Sequence, residues 1–288
     1  MDLHARRQVI RWADRPLIMG IVNVTPDSFF DGGAFLEPGA AVDHALQLVE
    51  EGADLLDIGA ESTRPGSTPT DSEEERRRLI PVVTAVAKSV SIPISVDTSK
   101  AVVAKAAIDV GAVIVNDITA LRGDVALRDL IAQTGAGLVL MHMQGTPQTM
   151  QRAPRYGDVV AEVATFLSER VRFAIEGGIA ENQIILDPGI GFGKFLEHNL
   201  DLLAGLEIFT KRGCPLLIGL SRKAFIGHLT NQPVDARLMG TAAAVSLAVL
   251  KGANILRVHD VAAIRDVIKV ISAVKQRQPV PSIKEQHA

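Results

Sequence analysis

The chain has 288 residues and a formal net charge of −3, with 47% hydrophobic and 22% charged residues. This length suits one large α/β domain or two smaller ones, and the apolar content excludes a mainly disordered chain. The slightly acidic balance and the 4% aromatic content argue against a nucleic-acid or anionic-membrane partner. A single cysteine, Cys214, excludes an internal disulfide and a thiolate metal cage.

The amino-terminal segment, residues 1–16, has basic residues but lacks the apolar core of a signal peptide. The longest strongly apolar window, TAAAVSLAVL, is about half the length that a membrane-spanning helix needs. Together these features predict a cytoplasmic protein without a membrane partner.

Short apolar runs recur along the chain, each ending in a polar residue and each followed by a longer helical pattern. Continuous apolar runs without alternation are typical of strands buried on both faces, as in a parallel sheet covered by helices. The predicted strands cover residues 17–23, 54–59, 93–97, 112–117, 137–142, 184–187, 216–221 and 255–259.

Eight strand–helix units over this length predict an α/β fold, the (β/α)8 TIM barrel, which takes about 250 residues. The barrel would span residues 17–278 as one domain, with residues 1–16 covering its bottom and residues 279–288 as a tail. A doubly wound open sheet is the alternative. It is disfavoured because ILDPGIGFGK, residues 185–194, has neither the phosphate-loop spacing nor the dinucleotide fingerprint.

Two helices carry more specific predictions. Thr70, three residues before Glu73, predicts a capping box at the start of a charged helix that faces solvent. The segment 237–250 is apolar on nearly every face, and a helix that is apolar all round must be buried. A loop or the C-terminal tail could cover it, but we favour a homodimer interface.

Polar residues close the predicted strands, and in a barrel the carboxyl ends of the strands carry the active site. Any one of them could simply cap the next helix, but Asp97, Asn116 and Asp187 lie on three different strands. Acceptors deep in a barrel suit a flat heterocycle rich in N–H donors, and Lys223 adds a donor for a ring carbonyl or nitrogen. The glycines after Asp187 would let that loop approach the ligand closely. The closing residues are Asn23, Asp57, Asp97, Asn116, His142, Asp187, Ser221 and His259.

In contrast to these acceptors, the residues predicted at the rim of the same barrel mouth are hydrogen-bond donors and cationic side chains. Ser62, Thr63 and Arg64 follow the second strand in ESTRPGS, and Arg257 and His259 lie in RVHD at the eighth. Hydroxyls, arginines and a histidine suit a phosphorylated group, to which charge-assisted hydrogen bonds contribute about 1.5–3 kcal/mol each. The alternatives are a solvated loop arginine for Arg64 and a capping or core histidine for His259.

Seven segments, in order and over essentially the whole chain, resemble the dihydropteroate synthase family of the folate pathway. They are MGIVNVTPDSFFDGG, DIGAESTRPGS, SVDTSK, VLMHMQGTPQTMQ, ILDPGIGFGK, GLSRKAFIG and RVHDV. Two positions depart from the family pattern: Phe30 stands where a Ser is usual, and Ala60 where a Gly is usual. Neither departure removes a ligand-contacting group.

The resemblance implies a transferase that joins 6-hydroxymethyl-7,8-dihydropterin pyrophosphate to 4-aminobenzoate with Mg²⁺, releases pyrophosphate, binds sulfonamides and forms homodimers. It implies metal binding by Asn23, pterin contacts from Asp97, Asn116, Asp187 and Lys223, and pyrophosphate and loop contacts from Thr63, Arg64, Arg257 and His259. It places Ser221, Pro65 and Phe192 around the aminobenzoate, and Ser62, Met141 and Gly219 complete the substrate-binding set. The implied catalytic residues are Asn23, Arg64, Lys223, Arg257 and His259.

The residues indicate no Ser-His-Asp or Cys-His nucleophile, and this reaction needs none. We expect a dissociative mechanism in which a CH₂ cation conjugated with the pterin ring is stabilised by surrounding charges. Two alternatives stay open. A pterin-dependent methyltransferase would have no use for the anion-binding rim, and a non-catalytic pterin-binding paralogue would be expected to lose the rim residues.

Overall fold

A computed structural model describes residues 2–12, 15–24 and 38–277. The first strand–helix loop, with Phe30, and the predicted tail at 279–288 lie outside the described residues. Within the described ranges, no helix is both long and apolar enough to cross a membrane.

Two short antiparallel strands come first, and eight parallel strands alternating with helices follow. The strands are β1 Asp2–Ala5, β2 Gln8–Arg11, β3 Leu17–Asn23, β4 Leu55–Gly59, β5 Ile94–Asp97, β6 Ile114–Asp117, β7 Gly137–Met141, β8 Ile184–Asp187, β9 Leu217–Gly219 and β10 Ile255–Val258. The helices are α1 Pro38–Glu50, α2 Ser72–Ser89, α3 Ala101–Asp109, α4 Ala126–Thr134, α5 Val159–Glu176, α6 Leu196–Ala204, α7 Glu207–Thr210, α8 Ala224–Thr230, α9 Leu238–Leu250 and α10 Val261–Lys275.

The parallel strands form one sheet in the order β8-β7-β6-β5-β4-β3-β10-β9, so that β3 pairs with both β4 and β10. The two ends of this order, β8 and β9, meet through a parallel bridge between Leu186 and Leu216. A nearly closed ring of eight strands with intervening helices confirms the predicted (β/α)8 barrel.

The barrel interior consists of layers of different polarity. Because successive side chains of a strand point to opposite faces, every second residue faces the interior. The lower interior layer is apolar and packs against Leu3, Ala5 and Ile10 of the β1–β2 hairpin, which covers the barrel bottom. Its strand members are Leu17, Met19, Leu55, Ile114, Val139, Ile185, Leu217 and Ile255.

Two residues further along several of these strands, the inward position becomes polar: Asp57, Asn116, Asp187 and Arg257 follow Leu55, Ile114, Ile185 and Ile255. The intervening residues belong to the larger apolar core between the sheet and the helices, as Leu56, Val115, Leu186 and Leu256 show. The alternation therefore places the polar residues above a closed apolar base.

The cap of α2 lies one residue later than the sequence predicts. The Asp71 carboxylate, not the Thr70 hydroxyl, accepts the N–H groups of Glu73 and Glu74, both at 3.0 Å. The charged face of the helix is confirmed. Its ion pairs are Glu73–Arg76, Glu74–Arg77 and Glu74–Arg78.

The apolar segment 237–250 forms α9, which the single chain buries only in part. Met239 is 80% exposed and Leu250 is 60% exposed. Val270 and Val274 of α10, which packs beside α9, are 66% and 65% exposed. The described part of one chain therefore leaves an apolar surface on α9 and α10, and its burial in a homodimer stays a prediction.

Candidate active site

The upper interior of the barrel holds a network of buried charges centred on Asp57 of β4. This carboxylate is fully buried and accepts hydrogen bonds from Ser95 Oγ at 2.6 Å, Asn116 Nδ2 at 2.9 Å and Arg257 Nε at 2.6 Å. The three donors belong to three different strands, β5, β6 and β10. Asp57 therefore fixes the relative positions of side chains that the sequence assigned to a substrate site.

Arg257 lies in this floor, whereas its sequence neighbours placed it at the rim. Besides the bond to Asp57, its Nη2 donates to Asp97 Oδ2 at 3.1 Å. Burial lowers the pKa of the Arg257 guanidinium, but Asp57 and Asp97 more than offset this effect and hold the pKa above its ordinary value. Arg257 is therefore a permanent cation between two carboxylates, and His259 lies two residues further toward the mouth.

Asp97 and Asn116 are register partners on β5 and β6, so their side chains lie next to each other in the same layer. Burial raises the pKa of Asp97 to about 7; Arg257 opposes this rise, and the Asp57 carboxylate adds to it. The bond from Asn116 Nδ2 to Asp57 fixes the orientation of the Asn116 amide. The pair can thus present acceptors to a ligand, with Asp97 close to its titration point at neutral pH.

Asp187 and Lys223 form the other side of the floor. Asp187 Oδ1 accepts the N–H of Gly189 at 2.7 Å, and burial raises the Asp187 pKa. Burial lowers the pKa of Lys223 to about 8, although Asp187 opposes the effect. Lys223 Nζ lies 4.2 Å from the centre of the Phe192 ring, a cation–π distance. The predicted acceptors and the predicted donor therefore share one interior.

An open slot lies beside this floor. Gly219 is the register partner of Arg257 on β9, and a Cβ atom at Gly219 would meet nothing within 4 Å. A small apolar cluster lies near Asp187, whose register partner on β7 is Met141, and Phe192 packs against this cluster. The cluster consists of Ile118, Met141, Met143 and Met150. Carboxylates close to apolar side chains and an open position suit a flat, donor-rich heterocycle.

The glycine loop after β8 is held by Lys194, a residue that the sequence motifs do not assign to the site. Its Nζ lies 2.9 Å from His142 Nδ1 and donates to the carbonyl oxygens of Gly189 and Phe192, each at 2.9 Å. Burial lowers the pKa of Lys194 to about 7 and that of His142 to about 2. His142 is thus engaged with this lysine, and the candidate site does not include it.

The loop glycines serve a contact different from the predicted one. Gly189 has a φ of +69°, and a Cβ there would overlap the carbonyl oxygen of His142. Gly193 has a φ of +62°, and a Cβ there would lie 2.5 Å from the carbonyl oxygen of Gln144, which is also too close. Only Gly191 faces a site residue, Lys223. Two of the three glycines therefore allow close packing against the neighbouring loop and not against a ligand.

Ser221 and His259 form the rim above Arg257. The Ser221 hydroxyl oxygen accepts the His259 N–H at 3.2 Å and lies 3.1 Å from His259 Nδ1. Burial, followed by the charge of Arg257, lowers the pKa of His259 to about 3, so the imidazole is neutral near pH 7. Arg64 is exposed on the second loop and is close enough to contribute to that lowering.

The remaining predicted residues lie on β3 and on the second loop. Asn23 ends β3 beside Gly59 and is half-buried. On the second loop, Ser62 and Thr63 are half-buried, whereas Pro65 is exposed. The loop reaches across to the segment after β7. There the Gly66 N–H donates to the Pro147 carbonyl at 2.9 Å.

A family model described as "Pterin binding enzyme" matches residues 19–259. The chain belongs to the pterin-binding enzyme family. Dihydropteroate synthase of Escherichia coli strain K12 is 48% identical over 258 residues, which cover 90% of this chain and 91% of that protein. The Neisseria meningitidis serogroup B protein of the same name is 49% identical over 267 residues, covering 91% of this chain and 93% of its own. The resemblance that the seven motifs carry is thereby confirmed.

Solved structures of pterin-binding enzymes agree with this barrel. Xanthomonas albilineans dihydropteroate synthase with 4-aminobenzoic acid has a TM-score of 0.90 and 47% identity, with 96% of this chain and 100% of that chain covered. The Xanthomonas albilineans enzyme in complex with 7,8-dihydropteroate has a TM-score of 0.88 and 45% identity over the same shares.

Two residues of this pterin-binding enzyme escaped the sequence-based prediction of the site. Asp57 follows the interior residue Leu55 by two positions, and the period of two along a strand could have placed it inside the barrel. Lys194 offers no such signal, because its acceptors are brought together by the fold of two loops and not by a local pattern.

Proposed function

We propose that this chain is a dihydropteroate synthase, which condenses 6-hydroxymethyl-7,8-dihydropterin pyrophosphate with 4-aminobenzoate to give 7,8-dihydropteroate and pyrophosphate. The observation that carries the proposal is the interior floor, where the acceptors Asp97, Asn116 and Asp187 share an open slot with the donor Lys223. Relatives at 48% and 49% identity bear the same name.

The floor matches the polar edge of a pterin. That edge carries several N–H donors and one carbonyl group, so it needs carboxylate and amide acceptors together with one cationic donor. Asp97, Asn116 and Asp187 supply the acceptors, and Lys223 supplies the donor. The apolar cluster that includes Met141 contacts the faces of the ring, and the closed apolar layer beneath Asp57 sets the depth at which the ring stops.

The rim suits the pyrophosphate. Thr63 and Arg64 approach from the second loop, while His259 lies above the cationic Arg257. A neutral His259 donates one ring N–H to a phosphate oxygen, and a bound polyanion favours the imidazolium, which donates more strongly. These groups stabilise the charge that develops on the leaving group as the C–O bond breaks.

Mg²⁺ fits this site as an ion that arrives with the substrate. Within residues 2–12, 15–24 and 38–277, no three His, Cys, Asp or Glu side chains are grouped so that they could hold a metal. Mg²⁺ commonly uses one or two protein oxygens and completes its shell with phosphate oxygens and water. The half-buried amide oxygen of Asn23 is suited to be that protein ligand. A bound Mg²⁺ would neutralise charge on the departing pyrophosphate.

The 4-aminobenzoate amine attacks the CH₂ group once the C–O bond has weakened. An arylamine has a free lone pair at neutral pH, so no general base has to act first. Buried carboxylates in the floor favour a pterin ring that carries positive charge, in agreement with a dissociative, cation-like step. Ser221, Pro65 and Phe192 surround the arylamine, and sulfonamides compete for the same space.

The functional unit is a homodimer formed through the apolar surface of α9 and α10. Four apolar side chains on these two adjacent helices are each at least 60% exposed: Met239, Leu250, Val270 and Val274. A two-fold interface buries the same patch on both copies. The assignment of the enzyme to the cytoplasm stays a prediction from the sequence.

The test is product formation by the purified chain, followed by mass spectrometry of 7,8-dihydropteroate and by pyrophosphate release. Reactions that lack the pterin pyrophosphate, 4-aminobenzoate or Mg²⁺ serve as controls. We expect product only in the complete mixture. Tight pterin binding without product would indicate the non-catalytic paralogue, whereas methyl transfer from a methylated pterin would indicate the methyltransferase.

A further inference from the structure

A buried salt-bridge cluster outside the substrate site joins the second loop to the barrel. Lys100 Nζ donates to Glu61 Oε2 at 2.8 Å, to the Thr70 carbonyl oxygen at 2.7 Å and to Glu75 Oε2 at 2.5 Å. All three N–H donors of the ammonium group are therefore used. The Lys100 and Glu61 side chains are only 22% and 17% exposed, and Glu75 is fully buried.

The contacts of this cluster converge on the two ends of one loop. Glu61 begins the segment after β4, and Thr70 ends it immediately before the Asp71 cap of α2. The Thr70 N–H donates to Glu61 Oε1 at 2.7 Å, so the two ends are bonded directly to each other as well as through Lys100. We call Glu61, Thr70, Glu75 and Lys100 the loop clasp.

The clasp also ties the loop to fixed parts of the fold. Lys100 lies three residues after β5, so its backbone is held close to the end of the strand that carries Asp97. Glu75 lies in the first turns of α2, where its carboxylate is buried. Burial lowers the pKa of Lys100, but Glu61 and Glu75 more than offset this and raise it above the ordinary value, so Lys100 stays charged.

Between the two clasped ends lie Ser62, Thr63, Arg64 and Pro65, which are substrate contacts in the proposed function. The loop has internal bonds, from Ser67 Oγ to the Ser62 carbonyl at 2.6 Å and from the Ser67 N–H to the Arg64 carbonyl at 3.1 Å. These bonds shape the loop, and the bond from the Gly66 N–H to the Pro147 carbonyl oxygen at 2.9 Å attaches its middle to the segment after β7. The clasp holds its two ends. A loop that is held at both ends loses less freedom when a ligand orders it.

We infer that Lys100 is a positioning residue, which holds the second loop where its side chains meet 4-aminobenzoate and the pyrophosphate, without affecting the pterin floor. The inference rests on the proposed function. The two parts of the site are then held by different residues. Asp57 holds the side chains of the floor, and the clasp holds the two ends of the second loop.

The experiment compares Lys100→Met, Glu61→Gln and the control Lys105→Met in the full-length protein. Lys100→Met removes the ammonium and keeps the chain length, whereas Glu61→Gln weakens the loop end but leaves Glu75 paired. Lys105 lies on α3, five residues after Lys100; its side chain is 62% exposed and pairs only with Asp109 in the described structure. The readouts are the KM for 4-aminobenzoate, the Kd of 6-hydroxymethylpterin by calorimetry, and amide hydrogen exchange over residues 61–70.

We expect Lys100→Met to raise the KM for 4-aminobenzoate about tenfold to a hundredfold, in line with the loss of charge-assisted hydrogen bonds. Glu61→Gln should raise it by a smaller factor. The Kd of the pterin should stay within about twofold of wild type, and exchange at Thr70 should accelerate, since its N–H is bonded to Glu61. Lys105→Met should match wild type in every readout.

An unchanged KM in both clasp variants would overturn the inference, as would a pterin Kd that rises in parallel with the KM, since that indicates general structural damage. If Lys100→Met does not fold, Glu61→Gln decides. If wild type makes no dihydropteroate, the proposed function fails. Hydrogen exchange then still tests the clasp, and unchanged exchange over residues 61–70 in Glu61→Gln would refute it.

Discussion

Replacement of Asp57 by Asn tests whether the buried network organises the pterin floor. Asp57 accepts three hydrogen bonds through its two oxygens, and two of these donors are Asn116 and Arg257. Arg257 and Asn116 donate to the same oxygen, Oδ2, and Ser95 donates to Oδ1. An Asn side chain can keep its one oxygen toward Arg257 and Asn116 and turn its amide group toward the Ser95 hydroxyl, which can accept. Asp57→Asn should therefore remove the negative charge that holds Arg257 and replace its charge-assisted bond by a weaker one.

The size of the effect follows from the contacts that remain. Truncating one partner of a buried ion pair commonly costs about 3–5 kcal/mol, and a single charge-assisted hydrogen bond contributes about 1.5–3 kcal/mol. Arg257 keeps its bond to Asp97 at 3.1 Å, so the cost should lie near the value for a single charge-assisted hydrogen bond. A loss of about 2–3 kcal/mol corresponds to a fall of roughly 30- to 150-fold in kcat/KM for the pterin pyrophosphate.

The assay measures kcat/KM for the pterin pyrophosphate at saturating 4-aminobenzoate, with the unfolding free energy of each variant as a check on folding. Asp54→Asn is the matched control. Asp54 lies just before the same strand, but it accepts bonds from Arg15 and from the Ile18 N–H at the barrel bottom. We expect Asp54→Asn to lower stability and leave kcat/KM unchanged. A folded Asp57→Asn enzyme that retains kcat/KM within about threefold of wild type would show that Asp57 does not organise the floor, because the loss of even one charge-assisted bond predicts a larger fall in kcat/KM.

Three further predictions concern pH, the glycine loop and assembly. Burial raises the pKa of Asp97 to about 7, so Asp97 loses its negative charge below that pH. The affinity for 6-hydroxymethylpterin, measured by calorimetry, should therefore weaken as the pH falls through about 7. In Asp97→Asn the affinity should depend less on pH. Gly189→Ala should lower the free energy of unfolding, measured in urea, by more than Gly213→Ala does. Gly213 has a φ of +80° but open space around a Cβ, so Gly213→Ala should cost only the left-handed backbone strain of about 1–2 kcal/mol. Equal losses would show that the contact between Gly189 and the His142 carbonyl does not matter. Met239→Glu should convert the proposed dimer to a monomer in sedimentation experiments, whereas Val125→Glu, at the 72% exposed residue just before α4, should not. A monomeric wild type would contradict the interface.

The sequence predicts the barrel well because its signal is repeated and local. Each strand is a short apolar run buried on both faces, and eight such runs leave few alternative folds. Strand ends are less well defined: the segment predicted over 216–221 pairs regularly only over Leu217–Gly219. The cap of α2 was misplaced because Thr70 and Asp71 are both good capping residues, and the Thr70 N–H is used by Glu61 instead.

The sequence indicates which side chains gather at the barrel mouth, but not the depth at which each of them lies. Arg257 was assigned to the rim because RVHD was read as one motif, whereas the period of two along β10 places Arg257 a full layer below His259. The pairing of Arg257 with Asp57 joins residues 200 positions apart, so no local pattern could indicate it. The same holds for Lys194, whose acceptors lie on two loops that meet only in the folded barrel.

Calorimetry with 6-hydroxymethylpterin tests whether the interior floor binds a pterin through Asp187 and its neighbours. The titration needs neither Mg²⁺ nor 4-aminobenzoate, so it isolates the floor from the rim and the second loop. Wild type is compared with Asp187→Asn and with Asp201→Asn, an exposed position on α6. We expect equal affinity for wild type and Asp201→Asn, and a loss of about tenfold or more for Asp187→Asn. The same Kd in all three proteins, or no binding to wild type, would show that the floor is not the pterin site.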